Sequence, residues 1–489
     1  MHANSFARAS ARVVAPLMAA VAVALLVGCD SFKPTEVINP NVTDEQFLNT
    51  PGAGATWARG TQRQFLSTLN EVIINAELAS DNYFNNYTTN AQKFDEPTLE
   101  YIDPQVTSIQ SALARMRDMA SFGLDTVFPR DTLVTANIRA EQFFYRGMAN
   151  LMAGEMFVAL PGSANGPVVS WEELLQSSIN DLTQARSTST DAAARNSYTL
   201  ALARAYYRLG NKQKAVEESE ALLAADPAFI RNAVFDPING PNNTMQGVLT
   251  SSVNNLQPLP RLDFLDPKYP NRGANIQSPI AFLKAEEAHL IIAEALLSDG
   301  DVPAAKARLT ELLTLVRSRA TELVDSRLQL RGRAGGKVVY PNSADSKVAF
   351  APGSPFVTGM ILTRSEGDVR VPVISGTSVT PERINAIHSV DDGLYVLYLM
   401  RQEIFLAEGR RMADLGMRMP IARTEVLVNP NTQDGAPYTQ EQVPSFIPKS
   451  FGLDKFDYDE GAKTVVIQHD MNRVLVENKT SPAIFPFIN

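Results

Sequence analysis

Two stretches of the chain, Leu202 to Leu223 and Ile292 to Leu313, carry the same skeleton ninety positions apart without a gap. Leu202/Ile292, Ala203/Ala293, Ala205/Ala295, Gly210/Gly300, Asn211/Asp301, Ala215/Ala305, Leu222/Leu312 and Leu223/Leu313 coincide. Each copy reads as a helix with small residues on one face, a Gly-Asn or Gly-Asp break, and a second amphipathic helix. Alanines at 203 and 293 let two helices approach closely, and a glycine at 210 or 300 ends a helix in the left-handed conformation without steric cost. A helical hairpin is the expected unit.

Tyr206, Gly210, Ala215 and Pro227 also fall where the ~34-residue tetratricopeptide pattern places its large, turn, small and terminal residues. One hairpin cannot bury its own apolar face, so further pairs must stack on it. The expected fold is mostly α, with tetratricopeptide-like helical hairpins forming an α-α superhelical scaffold, a loop-rich lobe and few short strands. Hairpins are expected near 139–185, 199–227, 285–319 and 394–415, the last as one helix from Leu394 to Leu415. Irregular inserts fall at 229–279 and 328–381, with short β-like runs at Lys337–Tyr340 and Thr464–Gln468. Segments this long without periodicity are either functional or disordered, and an ordered, loop-rich lobe is expected at 229–279.

The chain opens on a leader. Arg8 and Arg12 precede an apolar run from Val13 to Val27, which is too short to span a membrane comfortably and is interrupted by Pro16. The run ends in Leu26-Val27-Gly28-Cys29, a bacterial lipobox pattern, and Cys29 is the only cysteine in 489 residues. A single thiol forms no internal disulfide in an oxidising compartment, and acylation removes its liability. Residues 1–28 are read as a signal peptide, 29–42 as a lipid-anchored tether, and 43–489 as a single helical domain. Removing the leader leaves 42 basic against 53 acidic residues, a formal charge of −11. That balance argues against nucleic acid and against a polybasic grip on anionic lipid. The lipid is the only membrane contact expected.

Asp81, Asn82, Tyr83, Phe84 and Tyr87 lie in an expected loop where aromatics are set among amides and a carboxylate. Together with Tyr269 in the irregular segment they are the candidate ligand-binding residues: rings for stacking on apolar sugar faces, amides and a carboxylate for hydroxyls. A loop whose aromatics tuck into the core is the competing reading. No P-loop, nucleophile elbow or zinc-protease helix is present. Glu286 and His289 have the spacing of a di-iron ligand pair, but no second such motif exists, so a packed histidine is expected. Arg327, Arg331, Arg333 and Lys337 read as a solvated loop, and Trp57 and Trp171 as core. Among 53 acids no pair stands out as a glycosidase couple. No catalytic residue, metal site or cofactor is assigned.

Three motifs resemble one family. Glu287 to Ala295, continued by Ala305 and by Leu315-Val316-Arg317-Ser318-Arg319, is similar to a Leu-Ile-x-Ala-Glu-Ala helix leading to an Arg-x-Arg end. Arg401-Gln402-Glu403, Glu408-Gly409-Arg410-Arg411 and Asp414-Leu415 resemble a late Arg-x-Glu, Glu-Gly-x-Arg and Asp-Leu signature. Ala201 to Ala215, preceded by Asp181-Leu182 and Ala185, looks like an Ala-Arg-x-Tyr hairpin. In this order, behind a lipobox, they resemble the SusD/RagB family of nutrient-uptake lipoproteins; Met412-Ala413 stand where the family usually has aromatics. The resemblance implies a cell-surface, outer-membrane lipoprotein that binds an oligosaccharide, or in some such systems a peptide, and passes it to a SusC-like TonB-dependent transporter. A tetratricopeptide-type envelope scaffold lipoprotein and a surface glycan hydrolase are the alternatives.

Replacing Cys29 by serine is expected to release the protein from the membrane fraction during detergent-free washing. Retention of the variant there would show that the lipobox reading is wrong.

Overall fold

The computed structural model describes residues 44–85, 92–250, 256–273, 275–329, 338–364, 366–449 and 452–488. The leader, Cys29, the tether, Tyr87, Arg331, Arg333 and Lys337 lie outside them. Helices α1 (Asp44–Leu48), α2 (Ala53–Leu78), α3 (Gln92–Asp95) and α4 (Pro104–Phe122) lead into α5 (Ala136–Met156) and α6 (Trp171–Thr188). Next come α7 (Ala192–Arg208), α8 (Lys212–Ala225) and α9 (Thr244–Thr250), followed by α10 (Glu286–Ser298) and α11 (Val302–Ser318). Helices α12 (Pro381–Asn385), α13 (Val390–Ile404), α14 (Arg411–Asp414), α15 (Arg423–Val428) and α16 (Met471–Glu477) complete the series. The fold is mostly α. Among the described residues no helix is long and apolar enough to cross a membrane.

The two repeats are hairpins held by the same local chemistry. In the first, the Gly210 amide donates to the Tyr207 carbonyl and the Asn211 amide to that of Tyr206, both at 2.9 Å. In the second, Gly300 donates to Leu297 at 3.0 Å and Asp301 to Leu296 at 2.9 Å. These are the paired bonds of a Schellman motif, which needs a left-handed residue at the first position; φ is +71° at Gly210 and +77° at Gly300. The next residue then caps the following helix, Asn211 accepting from the Lys214 amide and Asp301 from the Ala304 amide. Ala203, Ala215, Ala293 and Ala305 are all fully buried. Each helix packs on its successor, α5 on α6, α6 on α7, α7 on α8, α8 on α10 and α10 on α11, while α13 crosses α10 and α11. That stack is the expected scaffold.

Strands are short and local. Tyr83–Asn85 pairs antiparallel with Leu256–Pro258, and Ile230–Ala233 with Ile280–Lys284. Thr464–Ile467 is the strand expected there and bridges Phe456–Asp459 and Lys347–Ala349. Residues 338–340 are not a strand, contrary to expectation. The 229–279 segment is irregular but does not stand apart as a lobe, because Leu256, Leu259, Leu262, Leu265 and Tyr269 enter the main core.

The expected helix from Leu394 to Leu415 is corrected. It stops at Ile404, and the chain turns through Ala407 and Gly409 at φ +61° and +71° before α14. Two buried lysines cause the break. Lys268 Nζ donates to the carbonyls of Ile404 (3.1 Å) and Leu406 (2.9 Å), and Lys284 Nζ to Ile404 (2.8 Å), so these carbonyls are satisfied without further helix. Both ammoniums converge on the Glu408 carboxylate. At Gly409 a Cβ would come 3.1 Å from the Ile73 Cα of α2, a tight contact that adds to the cost of its positive φ for any side chain.

Changing Glu408 to glutamine leaves two buried ammoniums without their anion. Breaking a buried pair in this way costs on the order of 3–5 kcal/mol. Denaturant unfolding is expected to show a loss of that size, and a loss below about 1 kcal/mol would contradict the role assigned to Glu408.

Candidate ligand-binding site

The structure does not place the predicted aromatic surface on the surface. Asp81, Asn82, Tyr83, Phe84 and Tyr269 are all buried, none more than 6% exposed. Tyr83 donates its hydroxyl to Asp266 Oδ1 at 3.2 Å, and Tyr269 donates to the Ala407 carbonyl at 3.1 Å. Phe84 stacks on Tyr340 and meets Phe456 edge-on, with centroids 6.2 and 5.6 Å away. Arg411 grips the Asp81 carboxylate from Nε (2.6 Å) and Nη2 (3.0 Å), and Gln402 Nε2 reaches Asp81 and Asn82, both at 2.9 Å. Burial would raise the Asp81 carboxyl, but the Arg411 guanidinium overrides it and holds the pKa below the ordinary value.

Neighbouring Glu77 goes the other way. Burial lifts its pKa to about 7 against hydrogen bonds from Asn82 and the Gly409 amide. Because the folded value lies above the usual 4.5, the stability linked to Glu77 is full below that value and is lost as pH rises through about 7. These residues form the core floor of the molecule, and the sequence reading of them as a ligand loop is corrected.

The remaining predicted residues also take structural places. His289 is buried on α10, its pKa pulled down to about 4, mainly by burial with Arg308 adding to it. Glu286 pairs with Arg319 at 2.8 Å. No group of three or more metal-ligating side chains occurs among the described residues. Arg327 is exposed and pairs with Asp325 where the strand Thr321–Asp325 runs into a short 3-10 turn. Trp57 is half-buried, donating its indole N–H to the Met119 carbonyl at 2.8 Å.

Accessible polar groups gather elsewhere, in a groove of about 200 Å³ between α4 and α5, closed by the turn at 161–165 and by α15. Its wall is apolar, with Leu113, Ala149, Leu160 and Leu174; its polar members include Arg117, Asp118, Asn150, Ser163 and Asn165. The sequence builds it from a helix capped by Asp103 and from a turn in which Asn165 takes φ +52°, a conformation asparagine tolerates. Arg117 is anchored on the Pro161 carbonyl and on Asp118 Oδ1. Asn150 Nδ2 reaches Asp181 at 3.4 Å, while the side chains of Ser163 and Asn165 make no hydrogen bond among the described residues. Donors and acceptors on an apolar wall suit a small hydroxyl-rich group. The volume is below the ~300–1,000 Å³ of pockets that enclose whole ligands, so only one end of a larger molecule would enter.

The sequence matches no family model and no curated protein. Its backbone matches solved structures. A Bacteroides vulgatus protein named for sugar binding superposes with a TM-score of 0.51 at 13% identity, over 80% of this chain and 99% of that one. A SusD superfamily protein from Bacteroides fragilis gives 0.50 at 11% identity, over 78% and 99%. A SusD-like carbohydrate binding protein from Bacteroides vulgatus gives 0.48 at 15%, over 74% and 82%. The chain has the SusD-like fold.

Within the SusD-like fold of this chain, the motifs that carried the resemblance are interior. Arg401, Gln402, Glu403, Glu408, Arg410, Arg411 and Asp414 are all buried; the arginines pair with carboxylates, while Glu408 and Asp414 take lysines and arginines and Glu403 accepts from Thr377 and Ser378. The groove residues were missed from sequence. Asn150 alone carried a signal, an amide on a helix whose buried side is mostly apolar; Ser163 and Asn165 look like any turn.

Tyr83→Ala is expected to destabilise the protein by about 3–5 kcal/mol, the cost of emptying a buried aromatic site. A thermal midpoint unchanged within a degree would return Tyr83 to the surface.

Proposed function

We propose that this chain is the substrate-binding lipoprotein of a nutrient-uptake system, held at the outer membrane through Cys29 and delivering an oligosaccharide to a TonB-dependent transporter. The carrying observation is the backbone match to a Bacteroides vulgatus protein named for sugar binding. The lipobox at Leu26 to Cys29 supports the anchored state, and the late-motif resemblance supports the transporter partnership. Rigid helix pairs hold the connecting turns steady, and steady turns suit recognition. On this reading the groove at Asn150 and Asn165 takes one sugar unit through hydrogen bonds to its hydroxyls.

The test is calorimetry of the mature, lipid-free chain against a panel of neutral oligosaccharides, with the products checked for new reducing ends. Binding without turnover is the expected result. Asn150→Ala and Asn165→Ala each remove a hydrogen bond of about 0.5–1.5 kcal/mol, so affinity should fall roughly two- to tenfold, with the thermal midpoint holding in Asn165→Ala, whose side chain is exposed. Failure of every glycan to bind would sink the proposal, released reducing ends would favour a hydrolase, and intact affinity in both variants would move the site away from the groove.

A further inference from the structure

A second cleft lies on another part of the scaffold. It has a volume of about 320 Å³ and is enclosed by the start of α6 at Trp171, the first hairpin turn at Gly210, α14, Arg418 and the segment Pro482 to Pro486. That size falls within the range of ligand-enclosing pockets, ~300–1,000 Å³. Its closing segment is fixed in place. A Cβ on Gly416 (φ +74°) would meet the Ala483 carbonyl oxygen at 2.8 Å, and one on Gly210 would meet the Pro486 oxygen at 3.1 Å. Both glycines let the segment lie directly against the turn, so the cleft is preformed.

Two carboxylates and two guanidiniums line it, and both carboxylates are already engaged by arginines other than Arg418. Glu155 is taken by Arg204 and Arg208, and Asp414 by Arg208 and Arg401. Three guanidiniums therefore already share the two carboxylates of the cleft. Arg418 is a fourth, and no carboxylate lies within 4 Å of it among the described residues. Its contacts are a 3.4 Å approach to the Gly154 carbonyl and a 3.5 Å approach to Gln442 Oε1, both longer than the 2.7–3.2 Å of ordinary N–H···O bonds. The guanidinium lies over the Trp171 ring, 4.0 Å from its centroid, a stacking that positions the group without neutralising it. Burial, with Arg208 adding to it and the more distant Glu172 and Glu155 opposing, pulls the Arg418 pKa down to about 10. A partly buried arginine with stacking and no carboxylate in contact leaves its fork, whose geometry matches a carboxylate, unmatched.

We propose that this cleft binds the carboxylate of a small organic acid, with Arg418 as the anion-binding group and Trp171 as its platform. The carboxylate of a uronic acid sugar and the C-terminal carboxylate of a peptide share this chemistry. Neither depends on the neutral-glycan groove, so this site and the groove stand or fall separately.

Calorimetry on the mature chain, with tryptophan fluorescence as a second readout, tests the proposal using three probes: galacturonate, its methyl ester, and an N-acetylated dipeptide with a free C-terminus. A free carboxylate is expected to bind and to change the fluorescence, and the ester is expected to bind at least tenfold more weakly. Loss of charge-assisted hydrogen bonds predicts a fall of roughly tenfold or more in Arg418→Gln. Arg418→Lys, which keeps the charge, should retain part of the affinity and replaces the glutamine variant if that one fails to fold. Galacturonate binding alone identifies an acidic sugar as the source, and dipeptide binding alone identifies a peptide. The proposal is overturned if neither carboxylate binds, if the ester binds as well as the acid, or if Arg418→Gln binds as tightly as the parent.

Discussion

The SusD-like architecture of this chain depends on arginine held in the interior. Glu155 on α5 is bound by Arg204 and Arg208 of α7; Arg208 reaches on to Asp414 of α14, which also takes Arg401 of α13. Arg410 continues the series to Glu287 of α10 at 3.2 Å. Five helices are tied together by charges that are almost wholly out of water. Burying so many ions is unfavourable in itself, and a buried pair is poor evidence for extra stability. What such a chain does provide is discrimination: a helix slid by one turn would strand a guanidinium without its carboxylate, and an uncompensated buried charge is far more costly than a loosened apolar contact.

This accounts for which parts of the molecule were legible in the sequence. The repeats were legible because their deciding contacts are local. The Schellman bonds at Gly210 and Gly300 join residues three to five positions apart, and the same glycine followed by a capping residue writes them into the sequence twice. The break in the Leu394 to Leu415 helix was not legible. Its cause is Lys268 and Lys284, whose bonds to Ile404 span 136 and 120 positions. Nothing within Leu394 to Leu415 reports them except Gly409, which helical periodicity absorbs.

The segment Asp81 to Phe84 failed as a ligand surface for the same reason. An aspartate, an asparagine and two aromatics in a row describe an exposed recognition loop and an interior polar junction equally well. The choice belongs to Arg411 and Gln402, at separations of 330 and 321 residues. Conversely, the late signature residues gave the fold correctly while saying nothing about ligand contact, since their work is inside. The accessible groove is built from residues with little signature, a turn serine, a turn asparagine and one amide on a helix whose buried side is mostly apolar.

The bond between Asp81 and Arg411 also sets an order of events for a chain made from its N-terminus. Asp81 is synthesised 330 residues before the arginine that neutralises it. Until Arg411 appears, that carboxylate lacks its bidentate partner, and the junction around Glu77, Asn82 and Gln402 cannot close. The hairpins can form as they emerge, because their contacts are near in sequence, whereas the interior that unites them must wait for nearly the whole polypeptide. Such a chain passes through a long interval with helices formed and apolar faces uncovered, the interval in which a chaperone has most to protect.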